Sequence, residues 1–288
     1  MATLRAVKNR IRSVVNTKRI TKAMEMVSAA KLRRAQQRVE QARPYAEILD
    51  EMLSRLAAAS SGDLSHPYFE EREVSRRTLV VVTSDRGLCG SFNANINRRG
   101  IQLLEDKADA DWEIVTVGKK GNDFFKRRRW PIAKFWGDWS GVIHYDKARD
   151  IVRFLTERFL SSETDEIYLL YTRFLSTVKY QIVSERYLPI PRPETGSTTG
   201  ANTDYIFEPS PESIYDALLP NYAVSKMINA LAESFASEHG SRMIAMGNAT
   251  TNAEEMVDRL TLDYNKARQA QITKELLEIV SGAEALKG

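Results

Sequence analysis

The sequence holds a single cysteine, Cys89, so no internal disulfide can form and a reducing compartment is the default. Its three histidines, His66, His144 and His239, lie far apart without ligand spacing, and no metal site is expected from them. No apolar run approaches the ~20 residues that cross a bilayer, and the first residues lack the apolar centre of a secretory signal. An Arg-rich, acid-poor start also describes an organelle transit peptide, but the same pattern continues far past where such a peptide is cleaved. Glycine and proline are scarce at both ends of the chain. From Leu4 to about Ser60 there is no Gly and one Pro, Pro44, and from Asn221 onward there is no Pro. Each stretch reads as one long helix, spanning roughly 80 and 95 Å at the helical rise. A compact body of this chain length has a radius of gyration of only about 19 Å, so most of the two helices is expected to project.

What is present begins with charge. Net charge is only +4, but residues 1–43 carry Arg5, Lys8, Arg10, Arg12, Lys18, Arg19, Lys22, Lys31, Arg33, Arg34, Arg38 and Arg43 against Glu25 and Glu40. The terminal stretch leans the other way, through Glu233, Glu238, Glu254, Glu255, Asp258, Asp263, Glu275, Glu278 and Glu284. Antiparallel pairing of the two ends is electrostatically favourable, although exposed pairs contribute only ~0 to 1 kcal/mol each. A coiled-coil spacing runs through Leu32, Ala35, Val39, Ala42, Ala46, Leu49, Leu53 and Leu56. The earlier stripe Leu4, Val7, Ile11, Val14, extended in register, puts Lys18, Thr21, Glu25 and Ser28 in the seam and moves Ile20, Met24 and Val27 to a neighbouring face. Two readings are open: a locally loose coiled coil, or a segment, residues 18–31, that faces an enclosing protein. The C-terminal seam is expected at Val224, Ile228, Leu231, Phe235, then Met246, Ala249, Ala253, Met256, Leu260, Tyr264, Ala267 and Ala270, with a bend or tight crossing near Gly240 and Gly247.

Between the rods the pattern changes to short β-branched runs. Strands are expected at Thr78 to Thr83, Glu113 to Val117, Glu166 to Tyr171 and Lys179 to Leu188, with helices near Asn93 to Lys107, Lys119 to Arg128 and Asp146 to Leu160. Alternating strand and helix indicate an open α/β sheet. The segment Pro189 to Asn202 reads as a loop, with Pro220 at the start of the terminal helix or at a break before it.

The first strand is followed by Ser84-Asp85-Arg86-Gly87-Leu88-Cys89-Gly90, a strand-to-helix turn whose glycines would let backbone N–H groups approach a phosphate. It is neither G-x-G-x-x-G nor a Walker loop and lacks the phosphate-reaching lysine. A tight turn with helix cap is the plainer reading, and without a nearby His, Cys89 reads as a buried or neutral thiol. The run Lys126 to Arg129 before Trp130 could touch phosphates, against a solvated helix end. Carboxylate pairs such as Glu254-Glu255 and Glu70-Glu71 show no separation into acid and base, and no active site is found.

Three segments carry a resemblance that spans the whole chain. Ile20 to Gln36 (ITKAMEMVSAAKLRRAQ), Ser84 to Gly90 (SDRGLCG) and Tyr264 to Leu286 (YNKARQAQITKELLEIVSGAEAL) resemble, in order and spacing, the hallmark segments of the gamma-subunit family of F-type ATP synthases. The resemblance implies an α/β protein in which a long antiparallel coiled coil of the terminal helices is joined to a central open α/β (Rossmann-like) sheet domain. The implied division is residues 1–60 and 211–288 for the coiled-coil helices, 76–190 for the α/β domain and 191–210 for a connecting loop. The implied function is a non-catalytic rotor: a central stalk turning inside a ring of alpha and beta subunits, with its foot on the membrane c-ring beside the epsilon subunit. By position, Arg268, Gln269, Thr273 and Glu275 resemble the contact zone for the beta subunit, and Lys22 and Met24 the opposing segment of the short helix. Ile279, Val280, Ala283 and Leu286 resemble the apolar bearing end. No cofactor, nucleic acid or membrane insertion is implied. The cysteine-bearing chloroplast-type insertion is absent, and with no identifiable presequence the expected location is the cytoplasmic face of a bacterial inner membrane, as a peripheral protein.

Two other readings remain open on the residues alone. The basic first 43 residues suit a nucleic-acid-binding helical hairpin, although they contain no aromatic for base stacking. The Arg86 to Gly90 turn suits an α/β nucleotide-binding enzyme.

Overall fold

The computed structural model describes residues 4–59, 66–191 and 211–285. Helix α1 (Leu4–Ala59) opens the chain and helix α5 (Pro211–Ala285) closes it. Between them a short 3-10 turn, Pro67–Phe69, leads into β1 (Arg76–Val82), α2 (Phe92–Asp106), β2 (Asp111–Val117), α3 (Lys119–Arg127), β3 (Ile132–Trp136), α4 (Tyr145–Leu160), β4 (Glu166–Phe174) and β5 (Tyr180–Leu188). The chain divides into two compact units, residues 1–27 with 243–288, and residues 28–242.

In the larger unit the sheet order is β3-β2-β1-β4-β5, with β1 to β4 parallel and β5 antiparallel to β4. Leu79, Val80, Val81 and Val82 are all fully buried, as a β-branched run with both faces covered requires. On one face Leu79, Val81, Ile114 and Leu170 pack with Ile96, Leu103 and Leu104 of α2 and Phe125 of α3. Helix α4 contributes nothing to that cluster. It carries the chain from β3 back across to β4, and the right-handed crossover rule puts it on the opposite face, where Ile151, Val152, Leu155 and Phe159 are buried.

The expected strands and helices are found within a few residues of their sequence bounds, and one strand is additional. β3 is five residues long, lies at the sheet edge and follows Pro131 and a charged run. Its burial alternates and only Trp136 is fully covered, so its apolar signal is too short and mixed to read as a strand.

The position assigned to Pro220 is corrected. Helix α5 starts at Pro211 and continues through Pro220, as α1 continues through Pro44. Pro220 is exposed, so the carbonyl that loses its amide partner can meet water. Asn221 Nδ2 also donates to the Ala217 carbonyl at 2.8 Å.

Within the larger unit, Leu32, Ala35, Val39, Leu49, Leu53 and Leu56 of α1 are buried as the seam spacing requires, while the side chains of Ala42 and Ala46 lie outside the described residues. Residues Leu231 to Gly240 of α5 are all buried. At Gly240 a Cβ would make ordinary contacts, 3.4 Å from the Thr177 carbonyl and 3.9 Å from Leu32, so the glycine there is not required by a tight crossing. Beside it, Gly141 has φ +69, and a Cβ there would lie 2.3 Å from Nε2 of the buried His239. Gly141→Ala should therefore lower stability by about 2 kcal/mol or more, combining left-handed backbone strain with a ring displacement. Urea unfolding of the full chain measures it, and an unchanged midpoint would show that His239 can move aside.

Candidate functional site

In the smaller unit α1 and α5 pair antiparallel, and several of the contacts between them are polar. Lys18 Nζ donates to Glu254 Oε1 at 2.6 Å, Thr250 Oγ1 donates to Thr21 Oγ1 at 2.9 Å, and a Cβ on Gly247 would lie 3.7 Å from the Glu25 carboxyl carbon. As one helix ascends in number the other descends by the same step, which fixes the register. The extension of the N-terminal stripe through polar residues is thus realised: Thr21 is buried, Lys18 and Glu25 are half-buried, and Ile20 and Val27 are exposed. Met24 is half-buried, and Met26 is exposed at 59%.

The C-terminal half of the expected seam holds at Met246, Ala253, Leu260, Tyr264 and Ala267 and departs at a few positions. Met256 is exposed and Val257 turns inward, and Ala270 is exposed, giving an inner face of Met246, Thr250, Ala253, Val257, Leu260, Tyr264 and Ala267. Thr250 can take an inward position because its hydroxyl is shared with the Met246 carbonyl at 2.8 Å and with Thr21. A groove of about 460 Å³ runs along this pair, floored by Val15, Ala23, Met26 and Val257 and rimmed by Lys18, Arg19 and Lys22.

The residues singled out from sequence fall in two places. Lys22 is exposed and paired with Glu25 at 3.0 Å. Arg268, Gln269, Thr273 and Glu275 are exposed on α5, with Thr273 Oγ1 donating to the Gln269 carbonyl and Gln271 Nε2 to Glu275. Lys22 stands level with about residue 250, so the structure does not bring it beside Arg268, which is roughly 27 Å further along the helix. Ile279 and Val280 are exposed at 68% and 57%. The side chain of Ala283 and all of Leu286 lie outside the described residues. Every described residue from 268 to 282 is exposed, and Ile272, Leu276, Ile279 and Val280 form an apolar stripe at helical spacing with nothing over it among the described residues.

The SDRGLCG turn is built as a clamp. It leaves β1 beside β4, the point where the strand order reverses and where doubly wound sheets open a ligand crevice. Here α5 fills that crevice. Arg242 donates to the carbonyls of Arg86 at 3.2 Å and Gly87 at 3.3 Å, and to Glu238 at 2.7 Å. Asp85 accepts from the backbone N–H groups of Lys119, Trp139 and Ser140, tying three loops together. Ser84 is bound to Asn93, whose Nδ2 also reaches Cys89 Sγ at 3.1 Å. The turn therefore offers carbonyl oxygens to a guanidinium, the reverse of the N–H cradle a phosphate needs. Cys89 is buried, and burial pushes its thiol up from the usual range, which suits a packed thiol and not a nucleophile.

Sequence reasoning missed this clamp because Glu238 and Arg242 lie some 150 residues from the turn. The only local signal was a Glu and an Arg four apart, in a stretch that also carries Glu233, Ser237, His239 and Ser241. Burial pushes the Glu238 carboxyl up despite Arg242, and pushes the His239 imidazole down to about 4. Among the described residues no group of three or more His, Cys, Asp or Glu is placed to hold a metal ion, and no helix is long and apolar enough to cross a membrane.

The chain matches the family described as "ATP synthase" over residues 3–286. It is 49% identical to the ATP synthase gamma chain of Anaeromyxobacter sp. and 46% identical to that of Desulforamulus reducens, in each case over 100% of both chains. Among solved structures, a chain in the Tetrahymena thermophila mitochondrial ATP synthase central stalk/c-ring matches with TM-score 0.62 at 26% identity, covering 80% of this chain and 99% of that one. A chain of the Euglena gracilis mitochondrial ATP synthase (OSCP/F1/c-ring, rotational state 3) matches with TM-score 0.66 at 17% identity, covering 98% and 94%, which concerns the fold alone.

The clamp generates two expected outcomes. Arg242→Met leaves the Glu238 carboxylate buried without its cation and should cost about 3 to 5 kcal/mol, whereas Arg242→Met with Glu238→Leu should recover most of it. Equal losses in the two variants, read from urea unfolding, would mean that the carbonyl contacts and not the ion pair dominate. The second concerns pH. His239 in the unfolded chain takes a proton near 6.5, but in the folded chain only near 4. Stability is therefore unaffected above about 6.5 and falls by up to about 3 kcal/mol as pH drops to 4. The Glu238 carboxyl, raised by burial, adds a pH dependence of its own, so the difference between wild type and His239→Gln isolates the histidine. A difference that stays flat from pH 7 to 4 would contradict the assignment.

Proposed function

The chain belongs to the ATP synthase gamma-chain family and is a central-stalk component of that complex; from that premise we propose that it is a rotor without a catalytic centre of its own. Its paired terminal helices, within residues 1–60 and 211–288, form the shaft. Residues 76–190 form the body and residues 191–210, of which all but Pro191 lie outside the described residues, link body and shaft. The shaft turns inside a ring of alpha and beta subunits, where beta carries the chemistry. The body rests on the membrane c-ring beside the epsilon subunit, on the cytoplasmic face of a bacterial inner membrane.

The observation that supports this reading best is the inverted pattern of the helix pair. Polar residues Lys18, Thr21 and Glu25 face the partner helix while Ile20, Met26 and Val27 face outward. A rod designed for water would do the opposite. An outer face of isolated apolar side chains suits a surface that an enclosing protein covers and releases, with Met24 and Met26 as adaptable contacts. Arg268, Gln269, Thr273 and Glu275, with Lys22 and Met24 at a different level of the rod, meet beta subunits, and Ile279, Val280, Ala283 and Leu286 seat the tip. Each rotary position gives the three beta sites different contacts, and about 1.4 kcal/mol of difference changes one site's affinity tenfold.

The test uses the assembled complex. One copy of the chain should co-purify with each hexameric ATPase, and Arg268→Glu should lower ATP-driven proton transport relative to hydrolysis without weakening nucleotide binding by beta. Recovery without a ring would sink the rotor reading, and a normal transport-to-hydrolysis ratio would remove Arg268 from the contact zone.

A further inference from the structure

We propose that a pocket enclosed by α1, α5 and the loop after β3 is a binding site for a small aromatic carboxylate. It lies wholly within the larger unit and holds about 230 Å³. The floor is apolar, made by Ala35 of α1, Ile143 of the loop, and Ala232 and Phe235 of α5, all of them buried. The rim is cationic. Lys31, Arg34 and Arg38 stand on one face of α1 at helical spacing, and no carboxylate lines the pocket. The positions three and four residues from Arg34 and from Arg38 hold no acid either, so neither arginine finds a partner along its own helix. Both are exposed and form no ion pair or hydrogen bond among the described residues. Three like charges on one helix face repel one another, and an anion in the pocket would offset that.

The polar groups that the pocket has to spare are donors. Lys31 Nζ already donates to the Ser140 carbonyl at 3.1 Å, and His239 Nε2 donates to the Gly141 carbonyl at 3.2 Å. The N–H groups of Gly141 and Ile143 have no acceptor among the described residues. A ligand must therefore bring acceptors, and a planar carboxylate matches the fork of a guanidinium. The floor sets the second requirement, because a bare phosphate would lay polar oxygens on Phe235 and Ala232. Size sets the third. An apolar cavity of about 150 Å³ takes up benzene, so this one has room for a ring and its carboxylate, whereas sites for larger ligands begin near 300 Å³. The walls are fixed in advance: the Phe235 ring packs 5.8 Å from that of Trp139, Asp85 holds the Trp139 and Ser140 N–H groups, and Val142 N–H donates to the Trp139 carbonyl at 2.9 Å. Asp138, Ser140 and Gly141 all keep left-handed backbone, with φ of 58, 51 and 69, a strain of the kind that persists at ligand sites. The groove in the smaller unit has similar residue types, but Lys18 and Lys22 there are already paired with Glu254 and Glu25.

Fluorine NMR of para-fluorobenzoate with the full chain, at about 0.1 M salt, tests the site. A ligand of this size should bind with a Kd on the order of 1 mM. The matching benzyl alcohol, which keeps the ring and lacks the charge, should bind at least about tenfold more weakly. Acetate, which keeps the charge and lacks the ring, should displace para-fluorobenzoate only at about tenfold higher concentration or more. R34Q/R38Q should lose at least about tenfold in affinity, whereas K18Q/R19Q, which removes the same charge from the groove of the smaller unit, should lose less than about twofold. Thermal melts establish that each variant folds, and the comparison of the three ligands on the wild-type chain needs no variant at all. No binding up to about 10 mM, or equal affinity for the acid and the alcohol, would overturn the proposal. So would equal losses from the two double variants, which would place the ligand in the other groove. Binding that survives in the assembled ATP synthase complex supports a ligand site; its loss there would overturn that assignment and make the pocket a seat for a side chain of a partner.

Discussion

Ten consecutive residues of α5, from Leu231 to Gly240, are buried, and a helix covered on every side must satisfy its polar groups within the protein. The larger unit is arranged around that demand. Ser234 accepts from the Thr172 N–H and Ser237 donates to the Thr172 carbonyl, so the helix takes over bonds to β4 beyond the end of its pairing with β1. Glu238 is tolerated because Arg242 lies one turn later, and Arg242 is held in turn by the carbonyls after β1. His239 sits against the Gly141 carbonyl at 3.2 Å, in a space only a glycine can leave open. Turning this stretch of α5 against the sheet would break several buried hydrogen bonds at once, each leaving a polar group unsatisfied at roughly 1 to 3 kcal/mol. For a rotor this is the property that matters: helix and sheet turn as one piece, and torque applied to one reaches the other without slip.

The two parts of the helix pair obey different rules. Within the larger unit the α1 seam is apolar and buried, through Leu32, Ala35, Val39, Leu49, Leu53 and Leu56, and stability there comes from area removed from water. Within the smaller unit the inner positions mix Met246, Ala253, Val257 and Leu260 with Lys18, Thr21, Glu25, Gly247 and Thr250, so less apolar surface is removed there. Exposed ion pairs add little more, so register there is set by matching polar groups and not by a strong hydrophobic drive. Level with the polar inner positions of α1, Ile20, Met26 and Val27 stand on the outside. That arrangement is unfavourable for a free rod in water and sensible only where the outer face is covered.

Much of this was legible in the residues. The fully buried β1, the helix bounds and the polar interruption of the α1 stripe all follow from spacing and residue type, because local periodicity decides them. The features that were not legible share a cause. Edge strand β3 is too short and mixed for its pattern to register, Thr250 takes an inner place because its hydroxyl meets Thr21 and the Met246 carbonyl, and the Arg242 clamp joins residues far apart in the chain. Each is decided by a tertiary partner that a one-dimensional reading cannot supply. Pro220 belongs with them, since a proline inside a helix is tolerated only where its orphaned carbonyl faces water.

The register of the smaller unit also explains why α5 is bare beyond about residue 268. With Lys18 opposite Glu254, the first residues of α1 stand level with that point, and no further part of α1 is available to cover the rest of α5. The remaining stretch, through Ala285, is a single helix of about five turns. Isolated helices of this length are marginal in water even with good propensity, because nucleation is costly and no tertiary contact offsets it. Its helix formers and its Lys274–Glu278 pair help only by tenths of a kcal/mol. Its apolar stripe of Ile272, Leu276, Ile279 and Val280 is wide enough to bury against a protein surface, and burial of four such side chains contributes several kcal/mol. The order of this segment is therefore coupled to its partner: the free energy that would hold it helical is the same free energy that would seat it, and weakening the apolar contact would loosen both together.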